Sequence, residues 1–153
     1  MALAAAKQRR IAKARQAYEA KVAKKERPRV FHAKPDEARR FIESTLKQIE
    51  LFRDVSSEDL GRIVDAMEPT DTAVGEVVIS QGAAGTHFYI VQSGTYEVLL
   101  KENGHVPVHA YAVGGFFGEL AMLYDKPRAA TIKCKSAGVL HRLDRGTFME
   151  IVT

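Results

Sequence analysis

The sequence predicts an α+β protein in which helices come first and a sandwich or barrel of short antiparallel strands follows. Two textures carry that expectation. From Thr70 onward, β-branched and aromatic runs (VVIS, FYIV, YEVLL, VPVHAYAV, ATIKC, GVLHRL) alternate with glycine-containing turns at Gly75, Gly82 to Gly85, Gly94, Gly104 and Gly114-Gly115. Turn signals every eight to twelve residues or so are the spacing of a sheet folded back on itself. Before Thr70, apolar residues recur every three or four positions, the period of a helix. A chain of 153 residues with 46% hydrophobic and 27% charged content holds one core, and no second full domain fits. Its apolar runs are short against the roughly 20 residues of a bilayer helix, so no membrane span is expected. Cys134 is the one cysteine; no internal disulfide can form, and a reducing, cytoplasmic setting is expected.

Residues 1 to 26 lack Gly and Pro and are rich in Ala, Lys, Arg, Gln and Glu, which predicts a solvated helix. Ile11, Ala14, Tyr18 and Val22 would form a narrow apolar stripe, able to dock on a partner and too thin to fold a domain. Pro28 and Pro35 bracket RPRVFHAKP, read as an extended linker because proline removes a donor and restricts its predecessor. The chain thus divides into a basic helical arm and linker, 1 to 34, and a folded unit, 35 to 153. DEARRFIESTLKQIELF places Phe41, Ile42, Leu46 and Ile49 at helical spacing behind Asp36 and Glu37, which suit a helix N-terminus. Ser56 with Asp59 three positions on then caps a second helix running to about Met67. After the strands, DRGTFMEIVT restarts a helical pattern with Phe148, Ile151 and Val152.

The most informative stretch is GGFFGELAMLYDKPRAATI, residues 114 to 132. Gly118-Glu119-Leu120-Ala121-Met122-Leu123 reads as a short helix whose first N–H groups could face an anion, with glycine leaving room for it. Arg128 follows Pro127 and precedes the small residues Ala129 and Ala130. A guanidinium suits a pair of phosphate oxygens, whereas Glu119 beside a phosphate must face a hydroxyl donor, such as that of a ribose.

At these residues the chain from about Asp36 to Thr153 resembles the cyclic nucleotide-binding domain family, and within it the regulatory subunits of cAMP-dependent protein kinase. FGELA, then PRAAT, from Phe117 to Thr131, is similar to that family's phosphate-binding cassette, and Gly75, Gly82 and Gly94 match its strand and turn pattern. The resemblance implies an antiparallel β jelly roll of about eight strands with N-terminal helices, a short phosphate-binding helix and the start of a C-terminal helix. It further implies cAMP as ligand. Glu119 would accept the ribose 2′-hydroxyl, and Arg128 would hold the exocyclic phosphate oxygens. N–H groups around Gly118, Leu120, Ala121, Ala129 and Ala130 would complete the cradle. Alanine at 129 points to cAMP, since cGMP-selective relatives usually carry Thr or Ser there. The family's base lid, a longer C-terminal helix or a second domain, would lie beyond Thr153: either the lid is missing, or a partner supplies it, or the sequence is a fragment of a longer protein. Phe116 stands where such subunits commonly have a small polar residue, and is expected to pack on the barrel and narrow the pocket. Occupancy would draw the cassette inward, move Leu123 and carry the helix near Phe148 with it.

No nucleophile, general base or metal cluster is visible, so a non-enzymatic module without cofactor is expected. His105 and His109 would lie about 13 Å apart in an extended chain, too far to chelate one ion, and His87 and His141 read as loop or strand surface residues. Cys134 reads as a small core residue. Residues 1 to 34 carry eleven Lys/Arg and two Glu, net +9, leaving net −5 on the remainder. The basic character therefore belongs to the arm, which is expected to tether the chain to an acidic protein surface, such as a cytoskeletal or ciliary assembly. With only Tyr18 and Phe31 as aromatics it offers no stacking platform for specific nucleic acid. Arg9-Arg10-Ile11-Ala12 resembles the start of a kinase pseudosubstrate, but Lys13 replaces the apolar residue such a motif needs. A kinase catalytic subunit is one expected partner; in the alternative reading, the chain is a structural subunit docked by its arm, with weak or constitutive nucleotide binding.

Overall fold

Capping and apolar spacing set the helical boundaries. The structure, a computed structural model, describes residues 2–22 and 30–152. Helix α1 spans Ala2–Val22. Helix α2, Asp36–Leu46, begins after Pro35 with two carboxylates in its first turn. It stops before the apolar periodicity does: Ile49 is extended, and Glu50–Phe52 form a 3-10 turn. The spacing continues because Ile42, Leu46, Ile49, Leu51 and Phe52 all enter one core. Helix α3, Ser57–Ala66, starts where the Ser56 hydroxyl accepts the Asp59 N–H at 3.1 Å.

Eight strands follow: β1 Glu68–Thr72, β2 Val77–Ile79, β3 His87–Val91, β4 Thr95–Leu99, β5 Pro107–Tyr111, β6 Phe116–Phe117, β7 Thr131–Ser136 and β8 Gly138–Asp144. They form two antiparallel sheets ordered β1-β8-β3-β6 and β2-β7-β4-β5, the two-layer arrangement expected of a jelly roll. Helix α4, Arg145–Ile151, leaves β8 through Asp144, whose carboxylate accepts the Thr147 N–H. Strands β1 and β6 are absent from the apolar runs of the sequence. EPTDT has nothing hydrophobic to announce a strand, and Pro69 is tolerated because β1 lies at a sheet edge.

The β1-β8-β3-β6 sheet is buried on both faces. Towards the helices, Phe88, Ile90 and Leu143 pack with Phe52 and Phe148; the Phe52 ring lies 5.3 Å from Phe88 and 5.7 Å edge-on from Phe148. Between the sheets, Tyr89, Val91 and Leu140 meet Tyr96, Phe117, Ile132 and Cys134. Cys134 is the small core residue expected.

The structure corrects several expectations. Helix α1 is not a solvated rod: Ile11 joins the helix-side core, with Ala14 packed against it. The side chains of Tyr18 and Val22 lie outside the described residues. In the described part of the linker, the His32 N–H and the Lys34 ammonium both donate to the Asp65 carbonyl, at 2.7 and 3.3 Å, pinning this extended segment to the end of α3. His141 is no surface residue. It faces the helices beside Ile90 in mid-sheet, 1% exposed, with Nε2 paired to the Gln92 side chain. His87 is half-buried on β3. His105 is left-handed (φ 61°) in the turn before β5, so the extended His105–His109 spacing does not hold.

Candidate functional site

Backbone pairing places Arg128. Its N–H donates to the Ala83 carbonyl and its own carbonyl accepts the Gly82 N–H, both at 2.8 Å, while Ala84 bridges Pro127. The side chain then crosses two glycines. A Cβ at Gly85 would stand 3.1 Å from Nε, and one at Gly118 would stand 2.8 Å from Nη1. Nη2 donates to the His87 carbonyl at 2.6 Å, which fixes the plane of the guanidinium. Desolvation presses this half-buried guanidinium below its ordinary pKa; with no carboxylate hydrogen-bonded to it among the described residues, it is a cation with donors to spare.

Gly118 itself is left-handed (φ 81°), and any Cβ would lie 2.8 Å from the His87 carbonyl oxygen as well. Only glycine satisfies both conditions. The following short helix is a 3-10 turn, Glu119–Met122. Its Ala121 N–H already donates to the Gly118 carbonyl at 3.0 Å, so that expected cradle group is engaged within the turn. Ala121 and Met122 are buried, while Leu120 is 62% exposed at the rim.

All seven residues singled out in the sequence, Gly118, Glu119, Leu120, Ala121, Arg128, Ala129 and Ala130, line one cavity of 810 Å³ against the β2-β7-β4-β5 sheet. That volume lies in the range of small-molecule sites. Ile79, Val98 and Ile132 supply an apolar wall, Tyr111 a phenol and Phe116 one rim. Phe116 also packs on the helix-side core, whereas the sequence led us to expect it against the barrel. Burial and the Glu119 carboxylate raise the Tyr111 phenol above its ordinary pKa, so it stays a neutral donor at physiological pH. The cavity thus combines the half-buried Arg128 guanidinium, the exposed Lys126, the Glu119 carboxylate and an apolar wall, the complement of a ligand with an anionic group, hydroxyls and a flat apolar part.

Four contributors escaped sequence reading: Gly85, the His87 carbonyl, Tyr111 and Arg145. Gly85 carried a signal, as the last glycine of a GAAG turn. Arg145, first residue of α4, donates to the carbonyls of Ala121, Tyr124 and Gly85 and pairs with Asp125 at 3.7 Å. It ties the cassette to α4.

Residues 71–153 match the family model of the cyclic nucleotide-binding domain. The chain belongs to that family. As a cyclic nucleotide-binding domain it is similar to regulatory subunits of cAMP-dependent protein kinase. It is 42% identical over 121 residues to that of Blastocladiella emersonii, covering 78% of this chain and 30% of the relative. It is 37% identical over 119 residues to the type II regulatory subunit of Drosophila melanogaster, covering 78% and 31%. This chain therefore spans under a third of these relatives' length. Among solved structures, it is similar to the regulatory domain of Toxoplasma gondii PKA in a co-crystal with cAMP, with a TM-score of 0.72, 36% identity, and 78% and 46% of the two chains covered. It also resembles a regulatory subunit of a cAMP-independent protein kinase A from Trypanosoma cruzi bound to guanosine, with a TM-score of 0.71, 25% identity, and 84% and 45% covered. Among the described residues no helix is long and apolar enough to cross a membrane.

Proposed function

We propose that this cyclic nucleotide-binding domain binds cAMP and converts occupancy into movement of its helices, as a non-enzymatic regulatory module. The observation that carries the reading is Arg128: a half-buried guanidinium packed against two glycines, held in plane by a carbonyl and facing a nucleotide-sized cavity. Arg128 takes the phosphate oxygens and Glu119 the ribose hydroxyl. Gly118 and the backbone of Leu120, Ala129 and Ala130 form the cradle, with Ala121 lining it, and the purine lies toward the apolar wall. Alanine at 129 favours cAMP over cGMP. Residues 35–153 form the nucleotide unit and residues 1–34 the arm.

The relay follows from contacts already described. A phosphate drawing the 3-10 turn inward moves Ala121 and Tyr124, whose carbonyls Arg145 holds. Helix α4 follows through Arg145, and Leu123 slides on the core that contains Phe148. A ligand shifts such an equilibrium only by its difference in affinity for the two arrangements. A protein partner, a kinase catalytic subunit among those its relatives suggest, would read the new position of the helices.

The test is calorimetric titration of the whole chain with cAMP and then cGMP, beside Arg128→Ala and Arg128→Lys. Submicromolar cAMP binding that weakens at least tenfold in both variants supports the reading, because removing the guanidinium leaves a buried phosphate charge uncompensated, at a cost of about 2–5 kcal/mol. Equal affinity in wild type and variants defeats it.

A further inference from the structure

We propose that α1 is a nucleotide-responsive strap, docked across the Glu50–Phe52 turn and α4 when the pocket is empty and released when it is filled; this rests on reading the cavity as a cAMP site. Among the described residues, three side chains of α1 make the dock. The Lys7 side chain is 3% exposed, and its ammonium donates to the Glu50 carbonyl at 2.6 Å and pairs with the Asp54 carboxylate at 2.8 Å. Ile11, one turn on, is 6% exposed in the helix-side core. Arg15, one turn further, donates from Nη1 to the Met149 carbonyl in α4 at 2.5 Å. At intervals of four these residues share a helix face, and Arg9, Arg10 and Lys13 point to solvent.

The dock spans two elements rather than one. Lys7 and Arg15 are about 12 Å apart along a stiff helix, so both contacts hold for only one separation of the turn from α4. That separation is under the control of the cavity. At its start, α4 is fastened through Arg145 to the carbonyls of Gly85, Ala121 and Tyr124, all three cavity-lining residues. A cassette drawn inward pulls α4 with it, and the rigid strap then keeps its Lys7 anchor or its Arg15 anchor, not both. Among the described side chains of α1, the apolar contact is Ile11 with Ala14 beside it, a narrow patch to hold the helix once an anchor is lost. Because the coupling is reciprocal, docking weakens nucleotide binding by the factor by which nucleotide weakens docking, so a variant that loosens the dock binds nucleotide more tightly.

Hydrogen exchange of the whole chain, with and without saturating cAMP, reads α1 directly. It is combined with cAMP titration of Lys7→Gln, Arg15→Gln and Ile11→Gln, each checked for a cooperative thermal transition. The expected result is protection gained in the cassette and exchange at least fivefold faster across residues 4–17, with cAMP bound at least threefold more tightly by two or more variants. Cassette protection with unchanged or slowed exchange in α1 overturns the strap and leaves the cAMP site standing, as does wild-type affinity in all three variants. No heat of binding and no cassette protection would remove the cAMP reading, and the strap with it.

Discussion

Gly118→Ala tests the close approach on which the Arg128 assignment depends, and Gly75→Ala is its control. Both glycines are left-handed, at φ 81° and 87°, so alanine pays a similar conformational penalty at each. That penalty is about 1–2 kcal/mol, offset by about 0.5–1 kcal/mol because alanine also restricts the unfolded chain. The surroundings differ. Nothing lies within 4 Å of a Cβ at Gly75, whereas a Cβ at Gly118 stands 2.8 Å from both the His87 carbonyl oxygen and Arg128 Nη1. The guanidinium could swing aside; the carbonyl belongs to β3, paired on both sides to β8 and β6. Relieving that overlap in a packed site adds about 1–3 kcal/mol. For a chain of this length, Tm falls roughly 2–4 °C per kcal/mol. Scanning calorimetry should show Gly75→Ala lowering Tm by up to about 6 °C and Gly118→Ala lowering it by about 2–12 °C more than that. Calorimetric titration should show cAMP affinity lost in the second variant alone. Equal Tm losses would refute the argument that the cassette backbone and β3 meet at Gly118, and with it the account of how Arg128 is oriented.

Three further measurements probe other parts of the molecule. Burial lowers the His141 pKa to about 4 from an ordinary 6.5, so between those values the unfolded chain binds a proton that the folded chain refuses. Stability is therefore full above pH 6.5, falls by on the order of 3 kcal/mol as the pH drops towards 4, and levels off below; urea titrations at stepped pH should show His141→Gln lacking that part of the decline. Tyr96→Phe removes a 2.6 Å hydrogen bond to Thr72, but Thr72 keeps its bond to the Gly138 carbonyl. The cost should stay near 0.5–1.5 kcal/mol, a Tm loss of about 2–6 °C by scanning calorimetry. Ala129→Thr, which adds a hydroxyl at the cavity wall, should raise cGMP affinity relative to cAMP by about tenfold in competitive titration, the worth of one good hydrogen bond.

Sequence reading succeeded where a residue's role is set by its near neighbours. Ser56 caps α3 because the hydroxyl and the Asp59 N–H are three residues apart. FGELA and PRAA converge on one cavity because each run carries its own glycine or proline geometry. Reading failed where the deciding partner is remote. Nothing near Lys7 predicts burial; Asp54 and the Glu50 carbonyl, more than forty residues away, make it tolerable. His141 looked like a surface residue because a polar side chain in a strand ordinarily faces solvent, yet at this position the sheet is covered by the helical layer, and the Gln92 side chain supplies the buried ring with a partner. Strand β1 was invisible because the extended pairing with β8, rather than its own side chains, makes it a strand. Arg145 reads as an ordinary first helical residue until folding brings three carbonyls from 60, 24 and 21 residues away to its guanidinium.

The two-sided burial of β3 also sets the smallest piece of this protein that can live in water. From Phe88 to Val91 every residue is buried, alternately by the opposing sheet and by the helical layer. The family match begins at Asp71, but a fragment starting there would lack α2, the Glu50–Phe52 turn and α3, and would turn Phe88, Ile90 and Leu143 outward as one greasy strip. Such a fragment could keep every residue that lines the cavity and still precipitate. The helices ahead of the barrel are its roof before they are its transmission.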